Sequence, residues 1–162
     1  SAATVLPCLT TARDFLINES FYIMISYQSD NIVLPKFLHR PMSAWLKRVA
    51  DCYKKQIGDI AYVFCDDAKI LEVNREFLHH DYFTDIITFD YDEGNIISGD
   101  IFISLDTVKS NSVKFHTDYE EELHRVIVHG VLHLCGINDK GPGERELMEA
   151  AENKALRLLN EK

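Results

Sequence analysis

Two histidines four residues apart, His129 and His133, lie in an apolar stretch of this 162-residue chain. The run 126–134 predicts a buried helix, and positions i and i+4 of a helix share one face, about 6 Å apart along the axis. Gly136 follows and can adopt the left-handed conformation that ends a helix, so that Asp139 can return to the same point. Two histidines and a carboxylate that leave room for water are typical of a catalytic zinc centre.

A purely structural role for the two histidines is the alternative interpretation. A buried neutral histidine without a partner costs about 1–3 kcal/mol for its unsatisfied polar atoms. Two on one helix face therefore favour a shared partner, and the positions of Gly136 and Asp139 strengthen that reading. We predict one divalent metal ion, Zn²⁺, held by His129, His133 and Asp139.

The composition predicts one globular domain with its own core, since hydrophobic residues make up 46% of the chain and charged residues 27%. The apolar runs are too short for a membrane span, and the first residues lack the features of a signal peptide. The four cysteines form no Cys-x-x-Cys pair, which favours reduced thiols and a cytoplasmic location. The net charge of −9 argues against binding nucleic acid by charge alone, but it leaves room for a local basic cleft.

The elements that must position the site alternate along the chain. Apolar runs predict strands at 25–28, 60–65, 86–91 and 96–104, with a turn at 93–95. Helical spacing predicts a helix capped by Ser43 and broken at Gly58-Asp59, and another capped by Asp66 or Asp67. Three more helices follow: one over about 105–114, the metal helix after Thr117, and an amphipathic one after 141–143.

This order of elements predicts an α+β fold. The simplest arrangement is a single domain in which a mixed sheet of about four strands is packed with helices and the metal site lies on a central helix. Residues 1–23 are weakly patterned and are expected to form an N-terminal extension outside the core. The domain itself is expected to span 24–162.

At this point the chain resembles the YbeY family of bacterial metal-dependent endoribonucleases, which act in ribosomal RNA maturation. The family motif His-Gly-x-Leu-His-Leu-x-Gly-x-x-His is matched by residues 129–139, and 84–89 resembles the family segment Thr-Asp-Val-Leu-Ser-Phe. The resemblance covers about 25–160. Further matches to the family pattern are Gly99-Asp100-Ile101, Glu122-Leu123, and Met148 with Glu152.

The resemblance implies a single-strand-specific endoribonuclease that hydrolyses phosphodiesters with a metal-activated water. It implies ribosomal RNA as the substrate and ribosomal subunit proteins as partners. We expect a monomer in the cytoplasm with no membrane association.

Two positions depart from the family pattern. Asp139 stands where the family usually has histidine; a carboxylate is a competent ligand, but it lowers the charge on the ion and lets manganese or iron compete with zinc. Leu78 stands where the family carries an arginine near the site. If that arginine steadies phosphate, the cation here must be Arg75, Arg125 or Lys140.

Three carboxylates are candidates for orienting the ligand imidazoles: Asp85, Asp100 and Glu122. A metal-bound histidine commonly donates its other N–H to a carboxylate or carbonyl. The simpler interpretations are a turn or cap residue for Asp85, a strand-end residue for Asp100 and a solvated helix face for Glu122. The sequence does not identify the group that removes the proton from the water.

The sequence also allows other functions. The metal spacing also fits zinc peptidases, but these place glutamate directly after the first histidine, where this chain has Gly130, which cannot take a proton. A ribosome-associated metal-binding module without intrinsic cleavage is the other alternative. The aromatic residues Phe77, Tyr82 and Phe83 could stack on bases, although such residues more often belong to the core.

Overall fold

A four-stranded mixed sheet forms the centre of the computed structural model, which describes residues 24–79 and 84–161. Its strands in the described part of the chain are β1 (Met24–Ser29), β2 (Gln56–Cys65), β3 (Ile86–Asp90) and β4 (Ile96–Ser104). They lie in the order β1-β2-β4-β3; β1, β2 and β4 are parallel, and β3 is antiparallel to β4. The predicted mixed α+β sheet is confirmed, whereas the predicted extension 1–23 lies outside the described residues.

Helices fill the connections between the strands and follow the last one. Parallel neighbours need crossover connections. The connection from β1 to β2 contains α1 (His39–Cys52), and the connection from β2 to β4 contains α2 (Asp67–Val73), a π-helical turn and β3. No helix in 24–79 or 84–161 is long and apolar enough to cross a membrane. The described helices are α1 (His39–Cys52), α2 (Asp67–Val73), the π-helical turn Asn74–Leu78, α3 (Leu105–Lys114), α4 (Tyr119–Leu134) and α5 (Glu144–Asn160).

The predicted metal helix, α4, lies at the centre of the helical layer and packs against β3 and β4 as well as α1, α3 and α5. Its sheet-facing side chains, such as Ile127 and Val131, are fully buried. The Tyr62 hydroxyl donates a hydrogen bond of 2.7 Å to the Ile127 carbonyl, which ties α4 to β2. The Trp45 indole donates one of 2.8 Å to the Ala155 carbonyl and joins α1 to α5. The backbone of α4 is therefore fixed from several sides.

Two local predictions about the first helix were wrong. The first helix begins at His39, four residues before the predicted cap Ser43. Pro41 in its first turn does not prevent this, because the N–H groups of a first turn have no acceptor within the helix and the missing N–H of proline costs no hydrogen bond there. The Ser43 hydroxyl instead lies 3.0 Å from that of Tyr27. Gly58-Asp59 does not follow a helix; it lies within β2 at an irregularity in the β2–β4 register, a usual position for glycine in a strand.

The start of α4 also differs from the prediction. Asp118 rather than Thr117 precedes the first helical residue, and neither side chain is seen to cap the helix. Acidic residues still fill the first turn, as the sequence indicated, and their charges favour the positive end of the helix dipole. Glu122, one of these, is 7% exposed, so the solvated role considered for it is excluded.

Candidate metal centre

One face of α4 carries four polar side chains at intervals of three or four residues: Glu122, Arg125, His129 and His133. They line a cleft of about 840 Å³. Because α4 has 3.6 residues per turn, this spacing stacks them in a row along one side of the helix. Other residues that line this cleft include Asp85, Phe115, Asp139, Lys140, Arg145 and Glu152.

His129 is held at both ring nitrogens. Its Nδ1 lies 2.8 Å from Glu152 Oε2, and its Nε2 lies 3.3 Å from Asp139 Oδ2. An Nδ1–H donated to Glu152 leaves the Nε2 lone pair facing Asp139. Two N or O ligands of a tetrahedral zinc ion are about 3.3–3.6 Å apart, which is longer than an ordinary hydrogen bond. His129 and Asp139 are therefore spaced like two ligands of one ion.

The loop after α4 brings Asp139 back to the helix, as the sequence predicted from Gly136. Gly136 has φ = 99°, in the region that glycine adopts freely. Its N–H donates to the His133 carbonyl at 3.0 Å, and the Ile137 N–H donates to the Leu132 carbonyl at 3.1 Å. This is a Schellman motif, in which the last carbonyls of the helix are satisfied while the chain reverses.

His133 lies one turn beyond His129 and lines the same cleft. In the part of the chain that the structure describes, no three His, Cys, Asp or Glu side chains are already grouped so as to hold an ion. The donor types and the His129–Asp139 spacing fit a divalent metal. His133, one turn along the same helix face, is the third candidate donor.

Carboxylates surround His129 on the protein side of the cleft. Burial raises the pKa of Asp85, and the positive charge available on His129 opposes that shift. Burial likewise raises the pKa of Glu122, with Arg125 opposing. Burial lowers the pKa of His129, but the hydrogen bond to Glu152 and the charges of Glu152, Asp85 and Asp139 raise it overall. These carboxylates thus make the region around His129 attractive to positive charge.

Arg125 partly balances these acids. Its guanidinium donates to Glu152 Oε1 at 3.1 Å and to Asn153 Oδ1 at 2.8 Å. Glu152 is 8% exposed. One of its carboxylate oxygens contacts Arg125 and the other contacts His129, so that Glu152 bridges the two side chains. Such paired contacts hold the imidazole in one orientation.

The predicted site residues divide into two groups. His129, His133, Asp139, Asp85, Glu122, Arg125 and Lys140 all line the cleft. Asp100 does not line it. Its neighbour on β4, Ile101, packs toward α4, and successive side chains of a strand point to opposite faces. Asp100 therefore points to the other face of the sheet, where it accepts a hydrogen bond of 3.3 Å from the Tyr91 hydroxyl. Arg75 is exposed on the π-helical turn and is not among the residues that line the cleft. The structure therefore does not support the roles predicted for Asp100 and Arg75.

Sequence reasoning missed several residues of the cleft, three of which bear on its chemistry. Glu152 orients His129, although the sequence singled it out only as part of the family pattern. An acid between Met148 and Ala155 on the buried side of α5 was the signal that could have identified it. Arg145 and Phe115 also line the cleft, and no motif marks either of them.

Gly130 lets α4 approach the sheet closely. A Cβ at this position would lie 2.8 Å from Ile101 Cδ1 and 3.3 Å from Ile86 Cδ1. We therefore expect Gly130→Val to lower the free energy of unfolding by about 1–3 kcal/mol, because overpacking forces α4 away from β4. Urea denaturation followed by circular dichroism measures the loss. Ala150→Val, on an exposed position of α5, is the matched control, and equal stability of the two variants would contradict this account.

The same contacts bear on the peptidase alternative. A side chain at position 130 would press against Ile101 and Ile86 on the sheet side of α4. Gly130 offers no group that could act as the general base that zinc peptidases place directly after the first histidine. The structure therefore gives no support to a peptidase.

Comparison with known proteins gives matches over almost the whole described region. A family model described as Endoribonuclease YbeY matches residues 24–160. Proteins with that same name include one from Phocaeicola vulgatus, 65% identical over 85% of this chain and 99% of that protein, and one from Bacteroides fragilis, 67% identical over 83% and 96%. The solution structure of TM1509 from Thermotoga maritima has a TM-score of 0.58 and 25% identity over 84% of this chain and 89% of that one.

The fold and the cleft define a single-domain α+β protein with a His-His-Asp candidate metal centre on a central helix. The family model and the identities above show that the chain belongs to the YbeY endoribonuclease family. The resemblance predicted from the sequence motif is confirmed.

Proposed function

We propose that this protein is a metal-dependent endoribonuclease that cleaves single-stranded ribosomal RNA during its maturation. Family membership supports the endoribonuclease activity. The observation that carries the metal dependence is the geometry of His129, whose Nε2 faces Asp139 Oδ2 at 3.3 Å while its Nδ1 is held by Glu152.

The side chains have separate roles in this proposal. His129, His133 and Asp139 would hold a divalent ion, and Glu152 orients His129 by accepting its Nδ1–H. An ion held there would supply Lewis acidity and a water whose pKa is lowered toward neutrality. Asp85 lies close enough to His129 to influence its charge and so supports the imidazole from the β3 side.

The phosphate must meet positive charge despite a net charge of −9. Arg125, Lys140 and Arg145 line the same cleft as the candidate metal ligands. Two of the Arg125 contacts already go to Glu152 and Asn153, so the exposed pair Lys140 and Arg145 is better placed to move toward a phosphate. These two residues would supply the positive charge that the family's arginine carries at the position of Leu78.

Zinc is the proposed metal. Two imidazole nitrogens and one carboxylate oxygen, with a position left for water, are a common zinc ligand set. The carboxylate from Asp139 is a harder donor than histidine and makes manganese a competitor, so zinc and manganese must be tested side by side.

The cellular setting is part of the proposal. Cys52, Cys65 and Cys135 are free thiols, as is usual for a cytoplasmic protein. We propose that the protein acts there as a monomer on ribosomal RNA, together with ribosomal subunit proteins.

The test is cleavage of a single-stranded RNA by metal-stripped protein that is then supplied with zinc or manganese. We expect no cleavage after stripping, restoration by one of the two ions, and no restoration in His133→Ala. Circular dichroism of each sample shows whether the stripped protein is still folded.

Each other outcome has a defined meaning. A folded, metal-loaded wild-type protein that leaves RNA intact would favour the metal-binding module without intrinsic cleavage. Cleavage that survives both stripping and His133→Ala would overturn the metal mechanism.

A further inference from the structure

Phe115 is an exposed aromatic ring on the wall of the cleft, at the end distant from the metal ligands. It directly follows α3 and is 52% exposed. The aromatic rings that stabilise the fold are more buried; Phe89 and Phe102, for example, pack edge to face with a centroid distance of 6.0 Å. The ring of Phe115 therefore offers a flat apolar surface to whatever occupies the cleft.

The surroundings of Phe115 suit a nucleotide. The Lys114 ammonium lies 5.4 Å from the centroid of the ring. Asn111, one turn earlier on α3, lines the cleft and offers an amide that can both donate and accept hydrogen bonds. An aromatic face beside a cation is the usual platform for a base of a single strand, because the ring stacks on the base and the cation attracts the phosphate.

The distance between the ring and the metal ligands sets how far from the cleaved phosphate a base stacked on Phe115 would lie. Tyr119, four residues after Phe115, begins α4, and His129 lies ten residues further, about 15 Å along the helix. The cleft is continuous between them, since Glu122 and Arg125 line it on the same helix face. A base on Phe115 is thus separated from the phosphate at His129 by a few nucleotides.

From these contacts we infer that Phe115 is a base-stacking subsite for single-stranded RNA, remote from the cleavage point. This inference rests on the proposed function and adds a positioning residue to it. The RNA strand crosses the cleft from the Lys114–Phe115 end, passes the His129–Asp139 pair and leaves beside Lys140. The subsite is tolerant of sequence, because every base has a face that can stack.

The test uses short single-stranded RNAs with one 2-aminopurine placed at successive positions. They are mixed with metal-loaded, full-length protein in a stopped-flow instrument, so that binding is read before the RNA is cleaved. We expect the fluorescence of 2-aminopurine to be quenched at one or two adjacent positions. Phe115→Ala should lose that quenching and weaken RNA affinity about 5- to 150-fold, the range expected for one stacked base.

Phe77→Ala is the matched control. Phe77, which the sequence offered as a base-stacking residue, is also exposed, at 55%, but it packs edge to face on Phe89 with a centroid distance of 5.6 Å and does not line the cleft, so the structure gives no support to stacking there. Tyr82 and Phe83, offered for the same role, lie outside the described residues. We expect Phe77→Ala to bind RNA like the wild type, and Phe115→Trp to restore both affinity and quenching. A thermal melt of each variant excludes misfolding.

The two proposals can fail separately. Wild-type affinity and an unchanged quenching profile in Phe115→Ala would overturn the subsite, even if the wild type cleaves RNA. A wild type that binds RNA through Phe115 but cleaves nothing with either metal would overturn the endonuclease mechanism and leave the subsite in place. Failure of the wild type to bind RNA would overturn both.

Discussion

His129→Ala is expected to lower metal-dependent RNA cleavage by at least about 1000-fold, since it removes a metal ligand and the contact that connects Glu152 to Asp139. Metal binding should fall in parallel, as measured by competition with a zinc-binding dye. His133→Ala is expected to lose cleavage to a similar extent. Cleavage that remains within about tenfold of the wild type in His129→Ala would contradict the proposed ligand set.

The two histidine variants should differ in stability when no metal is present. Removing His129 leaves the acids Glu152 and Asp139 facing each other without the ring between them, whereas removing His133 keeps that ring in place. We therefore expect metal-free His129→Ala to unfold at a lower urea concentration than metal-free His133→Ala. Equal midpoints would show that His129 has no structural role beyond metal binding.

The metal-free wild type should also depend on pH in a defined direction. Burial lowers the pKa of His129, but the bond to Glu152 and the nearby carboxylates raise it overall. A group with a raised pKa in the folded state contributes stability that is complete below its unfolded pKa, about 6.5, and is lost as the pH rises through the folded value. Burial lowers the pKa of His124, whose contribution therefore runs the opposite way, so the prediction concerns His129 alone. The difference in unfolding free energy between the metal-free wild type and metal-free His129→Ala is expected to be larger at pH 6 than at pH 8.

Local sequence patterns could predict the metal helix and its return loop, because their causes lie within a few residues. The i and i+4 spacing fixes the face that His129 and His133 share, and the left-handed Gly136 fixes the reversal toward Asp139. Strand identities followed from short apolar runs. These features therefore agreed between sequence and structure, whereas helix starts were less accurate because Pro41 is tolerated in a first turn.

The residues that support His129 depend on packing between distant segments. Asp100 was proposed for this role and points to the opposite face of β4, because a change of one position along a strand reverses the side chain. Glu152 fills the role instead, and its contact with His129 spans 23 residues across two helices. No local pattern specifies how α5 is rotated against α4, so this partner could be recognised only from the structure.

Glu152→Gln is expected to weaken metal binding about 10- to 100-fold, the usual cost of removing the carboxylate that orients a ligand histidine. The amide keeps the size of the side chain and one acceptor oxygen, but it removes the charge that favours an Nδ1–H on His129 and pairs with Arg125. RNA cleavage at low zinc concentration should fall by a similar factor and recover as zinc is raised. This recovery separates a positioning residue from a residue that takes part in the chemistry.

Glu152→Ala removes both hydrogen bonds and should also destabilise the protein. It leaves the partly buried Arg125 with one contact fewer, for which we expect a loss of about 1–3 kcal/mol in the free energy of unfolding.

Glu149→Gln is the matched control for Glu152→Gln, because Glu149 lines the same cleft from α5 but is exposed. If Glu149→Gln weakened zinc binding as much as Glu152→Gln, the effect would come from the overall charge of the cleft and not from the orientation of His129.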